Sequence, residues 1–267
     1  MYFLVVFFCF SSVLSSPHWG PRYYRHRRTG IIGGDPASAG ELPYQLSLQD
    51  TSFGFRFHFC GAVIYDENWG VSAAQCFQGV DPEDPGGIVA VAGELQRDIT
   101  EGPEQTSRIS QFFQHEFFNG FTFSNDVAVF RVSTPFVYNE FVQPIALAPA
   151  NHTASGNCTI SGWGATEEGG VPSESLMRAF LPVLTDAQCR VTYGDALEDS
   201  MICAGVPEGG VDACNADTGG PLVCSDLGGP YLAGIASWGR GCGRPDTPGV
   251  YCEVSYYVDW IKAHVSQ

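Results

Sequence analysis

The sequence predicts an all-β fold for residues 31–250, followed by a helix at the C-terminus. Short runs rich in valine, isoleucine, phenylalanine and tyrosine alternate with turns of glycine, proline, asparagine and aspartate. The 267 residues include 32 glycines and 17 prolines, which leave little room for long helices. Near the end of the chain, Val254, Val258, Ile261 and Val265 recur at helical spacing, so we predict one amphipathic helix there.

The predicted strands are short and separated by regular turn signals, a pattern typical of barrels and sandwiches. Between residues 141 and 157, two prolines and two polar clusters interrupt the pattern, and we place a boundary between two halves there. The clearest strands, in chain order, are Tyr44 to Leu48, Gly61 to Tyr65, Ile88 to Ala92, Val127 to Val132, Thr159 to Gly162 and Tyr231 to Ser237.

The N-terminus has the composition of a targeting segment. Residues 2–14 are nearly all apolar, and small residues lead from there to Pro17. We predict a secretory signal peptide over residues 1–16, because the apolar run is short for a membrane anchor. Residues 17–30 then form a basic pro-segment, and residues 31–267 form the folded domain. The mature protein is therefore expected to be secreted and extracellular, without a membrane partner.

Charge separates the pro-segment from the domain. Residues 1–30 hold four arginines and no acid, which leaves nine basic and 29 acidic side chains in residues 31–267, a formal charge of −20. Such a surface repels nucleic acid and attracts basic segments of proteins or peptides, although the charge could also serve solubility alone. The oligomeric state is not predicted. The chain has no CxxC pair and no histidine cluster, so we expect no metal and no cofactor.

Ten cysteines fit an oxidising compartment. Cys9 lies in the predicted signal peptide, so nine cysteines remain in the mature chain. Because nine is odd, at least one thiol is free or bridges to another chain.

Eight short segments together resemble the trypsin-like serine proteases (peptidase S1). They occur in the order and at close to the spacing of that family, over nearly all of residues 31–267. The resemblance implies two six-stranded antiparallel β-barrels, with the active site between them and a C-terminal helix. The segments are Ile31-Ile32-Gly33-Gly34, Cys60-Gly61, Ser72 to Cys76, Asn125-Asp126-Val127-Ala128, Gly162-Trp163-Gly164, Asp217 to Pro221, Ser237-Trp238-Gly239 and Pro248-Gly249-Val250-Tyr251.

The resemblance also implies four disulfides. Cys252 has no partner in the family, and we expect it to be a buried free thiol; the alternative is an intermolecular bridge. The implied pairs are Cys60–Cys76, Cys158–Cys224, Cys189–Cys203 and Cys214–Cys242.

The catalytic positions depart from the family pattern. Where the family has histidine, aspartate and serine, this sequence has Gln75, Asp126 and Thr218. A glutamine amide cannot take and return a proton near neutral pH, and the extra methyl group of threonine restricts its side chain. The oxyanion position that is glycine in the family is Ala216, with Thr218 as the second donor. His58 matches a histidine that is structural in such proteases.

These changes predict a catalytically inactive serine protease homolog that acts by binding. It would compete for substrates or inhibitors, or serve as a cofactor of active proteases. The alternative is a weakly active trypsin-like endopeptidase that cleaves after arginine or lysine.

The implied substrate-binding residues are retained. Asp212 matches the acid at the base of the pocket that selects arginine or lysine, and Gly239 and Gly249 match the small residues that keep this pocket open. Ser237, Trp238 and Gly239 match the strand that pairs with an extended substrate. The alternative is that Asp212 is merely inherited and the pocket has collapsed.

The sequence also contains candidate sites for proteolytic activation and for glycosylation. In the family, a cut before Ile31 frees an ammonium group that pairs with the acid at Asp217. Here Gly30 precedes Ile31, whereas Arg25 to Arg28 resembles a convertase site whose cut would leave Thr29-Gly30 in place. The alternative to a convertase site is that these arginines belong to a solvated basic pro-segment. The glycosylation sequons begin at Asn151, in a polar loop, and at Asn157, beside an implied disulfide.

Overall fold

The computed structural model describes residues 31–52 and 54–266. The predicted signal peptide and pro-segment lie outside the described residues. Fourteen strands and two α-helices follow one another in the described chain. The strands are β1 (Asp35–Pro36), β2 (Gln45–Asp50), β3 (Phe57–Ile64), β4 (Trp69–Ser72), β5 (Ile88–Ala92), β6 (Gln105–Gln114), β7 (Ala128–Val132), β8 (Ala146–Leu147), β9 (Asn157–Gly162), β10 (Met177–Leu184), β11 (Met201–Ala204), β12 (Pro221–Asp226), β13 (Gly229–Trp238) and β14 (Gly249–Glu253). The helices are α1 (Asp186–Tyr193) and α2 (Val254–Val265).

The first barrel closes in the strand order β2-β3-β4-β7-β6-β5. Its interior is filled by aromatic rings, and the centroids of Phe77 and Phe112 stand 4.6 Å apart. Phe130 packs beside Phe77 and leaves no room for a side chain on β4, because a Cβ atom at Gly70 would lie 2.3 Å from the Phe130 ring. Gly70 is therefore required by the packing of this barrel.

The second barrel contains β9, β10, β11, β14, β13 and β12, and the pairing of β9 with both β10 and β12 closes it. Its buried residues include Ile160, Leu181, Leu222 and Tyr251. The prediction of two six-stranded antiparallel barrels with a C-terminal helix is thus confirmed. The predicted helix face is also confirmed: Val254, Val258 and Ile261 are buried on α2.

The structure corrects several element boundaries. The strand predicted from Gly61 begins four residues earlier, at Phe57, and the strand predicted over Tyr231 to Ser237 extends from Gly229 to Trp238. Helix α1 was not predicted. Its signal was present, because Thr185 and Gln188 form a reciprocal capping box at its start.

The four disulfides connect the pairs that the resemblance implied, namely Cys60–Cys76, Cys158–Cys224, Cys189–Cys203 and Cys214–Cys242. Cys252 is a buried free cysteine on β14. Burial also raises the pKa of its thiol, which keeps the thiol protonated. Among the described helices, none is long and apolar enough to cross a membrane.

The position of Cys252 predicts its reactivity toward a thiol reagent. In protein that lacks residues 1–16, the folded chain should label at least about a thousandfold more slowly than the chain in denaturant, because the thiol reacts only after the strand opens. Quantitative labelling before and after adding denaturant measures this ratio, and Cys252→Ala should show no labelling in either state. Rapid labelling of the folded protein, or a covalent dimer without reductant, would contradict the buried free thiol.

Candidate active-site cleft

The candidate site lies where the loop from Asp212 to Pro221 meets both barrels. The N–H of Gly61 on β3 donates to the carbonyl of Thr218 at 2.8 Å, which ties the loop to the first barrel. The N–H of Gly219 donates to the carbonyl of Ala236 on β13 at 2.8 Å, which ties it to the second barrel. The position of Thr218 therefore depends on both barrels.

His58 supplies a third support for this loop. Its Nε2–H donates to the carbonyl of Ala216 at 3.0 Å, and its Nδ1 lies 2.9 Å from the Ser47 hydroxyl, which must then donate to it. Burial, with the nearby Arg97 charge, lowers the pKa of His58 to about 3. The imidazole is therefore neutral and acts as a fixed structural link, as its position in the sequence suggested.

Gln75 is the residue that the resemblance assigns to the position of the family's catalytic base. It lies in a 3₁₀ turn over Ala74–Phe77 that places its side chain beside Asp126. Its Nε2 donates to Oδ2 of Asp126 at 2.5 Å and to the carbonyl of Ser237 at 2.9 Å. Both amide hydrogens are therefore used, and only the weakly basic amide oxygen is left for other partners.

Asp126 is fully buried and is held by hydrogen bonds from three directions. Besides the Gln75 side chain, it accepts hydrogen bonds from the Gln75 N–H at 2.8 Å and the Ser237 hydroxyl at 2.5 Å. Burial raises the pKa of Asp126, and these donors act in the opposite direction by stabilising the carboxylate. Asp126 thus orients an amide here, where the family pattern has it orient an imidazole.

Thr218 is the third residue of the predicted triad, and its side chain is not hydrogen-bonded to Gln75. Within the described residues, no hydrogen bond joins the Thr218 hydroxyl to the Gln75 side chain. The structure therefore brings Gln75 and Asp126 into contact, whereas Thr218 has no hydrogen bond to either side chain of the kind that would activate a nucleophile.

Ala216 adopts the backbone conformation that its glycine counterpart would favour. Its φ is +72°, in the left-handed region that costs a residue with a Cβ atom about 1–2 kcal/mol. Within the described part of the chain, the N–H groups of Ala216 and Thr218 donate to no acceptor. The positive φ is a strained conformation for alanine, and the two N–H donors are available to an oxyanion.

A cavity of about 400 Å³ opens next to Thr218. The structure places Asp212, Ser237, Trp238, Gly239 and Gly249 on its walls, so all the substrate-binding residues implied by the resemblance meet there. A Cβ atom at Gly249 would lie 2.8 Å from Oδ1 of Asp212, so a side chain at this position would block the base of the cavity. The structure has an open cavity here and not the collapsed pocket of the alternative prediction.

Three residues that line this cavity each have a buried polar atom without a partner within the described residues. These atoms are Oδ1 of Asp212, the hydroxyl of Tyr251 and Nε1 of Trp238. Oδ2 of Asp212 accepts from the Gly243 N–H at 2.9 Å, which fixes the carboxylate with one oxygen free. Burial raises the pKa of Asp212 to about 6. A cationic group would satisfy this oxygen and favour its ionised form.

Asp217 and Ile31, the pair implied for activation, are both completely buried. The carboxylate of Asp217 accepts from the N–H groups of Gly164 and Cys214 at 2.8 and 2.9 Å. Burial raises its pKa to about 7. Ile32 pairs with Asp212 through two backbone hydrogen bonds, so the start of the domain supports the pocket base. An ion pair between the Ile31 ammonium and Asp217 stays a prediction.

Sequence reasoning missed two features of the cavity. Tyr251 was assigned only to a family segment, and nothing in its sequence context indicated an unpaired hydroxyl. Glu168 lines the cavity and forms a bidentate ion pair with Arg244, at 2.8 and 2.5 Å, which joins two loops at the rim. Neither loop carries a motif that could have predicted this contact.

The remaining predicted residues lie outside the cleft. Asn151 and Asn157 are both exposed, Asn151 in a turn and Asn157 at the start of β9, so glycosylation at either stays a prediction. Among the described residues, no group of three or more histidine, cysteine, aspartate or glutamate side chains could hold a metal ion.

Comparison with known proteins agrees with this geometry. The family model described as Trypsin matches residues 31–261. Trypsin-1 of Astacus astacus is 53% identical over 88% of this chain and 99% of its own length. Trypsin of Sus scrofa is 38% identical over 88% of this chain and 96% of its own length. Anionic trypsin of Bos taurus is 38% identical over 88% of this chain and 90% of its own length.

The left-handed φ of Ala216 predicts that Ala216→Gly stabilises the fold. Loss of the Cβ strain outweighs the added freedom of the unfolded chain, so we expect a net gain of about 0.5–1 kcal/mol in the free energy of unfolding. Urea denaturation measures this change in the free energy of unfolding. The matched control is Ala187→Gly in helix α1, which should lose about 0.5–1 kcal/mol. Equal destabilisation by both variants would show that Ala216 is unstrained.

Proposed function

The chain belongs to the trypsin family, and on that basis we propose that it is a secreted, non-catalytic member that binds basic segments of proteins or peptides without cutting them. The observation that carries this proposal is the Gln75 side chain, whose two amide hydrogens are spent on Asp126 and Ser237. The position that needs a base therefore presents a group that can neither take nor return a proton.

The expected loss of activity is large. Removing a member of the catalytic triad typically lowers the rate by about four to six decades. Here the base is absent and the nucleophile is a threonine without a hydrogen bond to position 75. Threonine nucleophiles usually rely on a free N-terminal amine, whereas Thr218 is internal. Because these losses affect one unit, their effects do not add, and the missing base alone is sufficient.

Retained recognition supports a binding role. The open cavity, the unpaired Oδ1 of Asp212 and the unpaired Tyr251 hydroxyl form a site that a guanidinium or ammonium group would complete. The charge of −20 over residues 31–267 would attract such ligands from a distance. In this role the protein would compete with active proteases for substrates or inhibitors, or act as their cofactor.

A weak trypsin-like endopeptidase is the second candidate. It is favoured by the unpaired N–H groups of Ala216 and Thr218, which could still receive an oxyanion. An assay with a chromogenic peptide that carries arginine before the scissile bond separates the two candidates. Turnover that survives Thr218→Ala comes from a contaminant, whereas turnover that this variant abolishes would establish the second candidate.

Benzamidine binding should depend on pH through Asp212. The amidinium stays charged, so binding requires the ionised carboxylate, whose pKa is about 6. The affinity for benzamidine should reach its maximum above pH 7. It should be about tenfold weaker at pH 5, because the fraction of molecules with an ionised Asp212 falls. Thermal shift or fluorescence titration measures it. Asp212→Asn should bind weakly at every pH, and an unchanged affinity in that variant would place the ligand elsewhere.

Reversion of three positions should restore catalysis. We expect Gln75→His, Ala216→Gly and Thr218→Ser together to raise the cleavage rate of the arginine peptide at least about a thousandfold, provided that Ile31 is the first residue. Any one reversion alone should gain little, because the residues act as a unit. Adding Asp126→Asn to the triple variant should lower its rate by about four decades. Comparable turnover before and after reversion would refute the non-catalytic assignment.

A further inference from the structure

Within the described residues, few bonds are open to a protease that cuts after basic residues. The part of the chain that the structure describes holds nine basic side chains, and eight of them lie in regular structure or have an engaged guanidinium group. The nine are Arg56, Arg97, Arg108, Arg131, Arg178, Arg190, Arg240, Arg244 and Lys262. A protease must draw several residues around the bond into extended form, so ladder and helix hydrogen bonds protect a bond until the element opens.

Five of the nine lie inside paired strands or helices. Arg108, Arg131 and Arg178 each have a neighbouring strand or backbone partner on both sides. Arg190 lies in α1 and Lys262 lies in α2. Cutting at any of these residues requires opening of a barrel or a helix.

Three more lie in loops, but their guanidinium groups are engaged. Arg97 donates to the carbonyl of Ser173 at 2.7 Å. Arg240 donates to the carbonyl of Thr192 at 2.9 Å and stands 5.1 Å from the Tyr193 ring centroid. Arg244 pairs with Glu168 through two hydrogen bonds. It is also followed by Pro245, whose ring makes the bond nitrogen tertiary and removes its N–H.

Arg56 differs from all the others. It immediately precedes β3, and the residues from Gly54 to Phe57 are exposed, although Phe57 is already the first residue of β3 and pairs with Asp50. A Cβ atom at Gly54 would meet no atom within 4 Å. Within the described residues, Arg56 forms no hydrogen bond and no ion pair; its charge acts on Glu94 only at a distance. We propose that the Arg56–Phe57 bond is the site at which a trypsin-type endopeptidase first cuts the folded domain.

The chemistry is simple hydrolysis in the active site of that protease. Water adds to the Arg56 carbonyl carbon and the bond to the Phe57 nitrogen breaks, which leaves a carboxylate on Arg56 and an ammonium group on Phe57. None of the four disulfides spans this bond, because every bridged cysteine lies after it. The segment ending at Arg56, which contains β2, would then be held by noncovalent contacts alone.

The cut would also act on the cleft. His58 directly follows the new N-terminus at Phe57, and it links Ala216 to Ser47 on β2. Hydrolysis would free the end of β3 and weaken this link, so a protease of the same family would disable the binding cleft. A cut at this bond would be detected on the chain itself, so the result does not depend on the proposed ligand.

Limited digestion of the secreted full chain with trypsin tests the proposal. Fragments are separated by denaturing gel without reductant and identified by mass and N-terminal sequence. Cuts at Arg22, Arg25, Arg27 or Arg28 trim the N-terminus and are scored separately. Within residues 31–267, we expect the first new N-terminus at Phe57. A first cut elsewhere, or an intact domain under conditions that trim the N-terminus, would overturn the proposal.

Two variants make the test specific. Arg56→Gln should slow the first cut in the domain at least about a hundredfold, because the protease pocket loses its charged partner. Arg240→Gln, which changes an exposed but engaged arginine, should leave the rate unchanged. The chain cut at Phe57 should unfold at a lower temperature than the intact chain. An unchanged unfolding temperature would refute the effect on the cleft, and rapid cutting of Arg56→Gln would refute the site.

Discussion

The cleft depends on the attachment of the loop from Asp212 to Pro221 to both barrels. Gly61 and His58 hold it from the first barrel, Ala236 holds it from the second, and the Cys214–Cys242 disulfide ties it to the far wall of the cavity. Its internal support is Asp217, a fully buried carboxylate paired with two backbone N–H groups. Because a buried carboxylate without partners is costly, these donors define one arrangement of the loop. The cavity and the oxyanion donors follow from that arrangement.

The side chains at the candidate site satisfy the buried groups around them. Gln75 donates its two amide hydrogens to Asp126 and to the Ser237 carbonyl, so the buried carboxylate has partners. A glutamine at this position therefore leaves no unpaired buried charge. Ala216 keeps the left-handed backbone at some cost, and Oδ1 of Asp212 has no partner among the described residues.

Much of the fold and the identity of the site residues could be predicted from the sequence. The apolar run over Ile88 to Ala92 predicted β5 with its observed bounds, because all five residues are buried. The helical spacing of Val254, Val258, Ile261 and Val265 predicted α2, whose apolar face packs against the core. The start of β3 was missed, since Phe57 is exposed and belongs to the strand only through its pairing with Asp50. The Gln75 contacts and the Glu168–Arg244 pair could not be predicted, because they join residues far apart in the chain through side-chain geometry alone.

A crystal structure of the protein with a peptide that contains one arginine tests the central claim most directly. The account predicts that the guanidinium group lies against Oδ1 of Asp212 and that the peptide bond after the arginine is intact beside Thr218. It also predicts that Gln75 still donates to Asp126. A covalent ester on Thr218, a cleaved peptide, or a peptide bound away from Asp212 would contradict it.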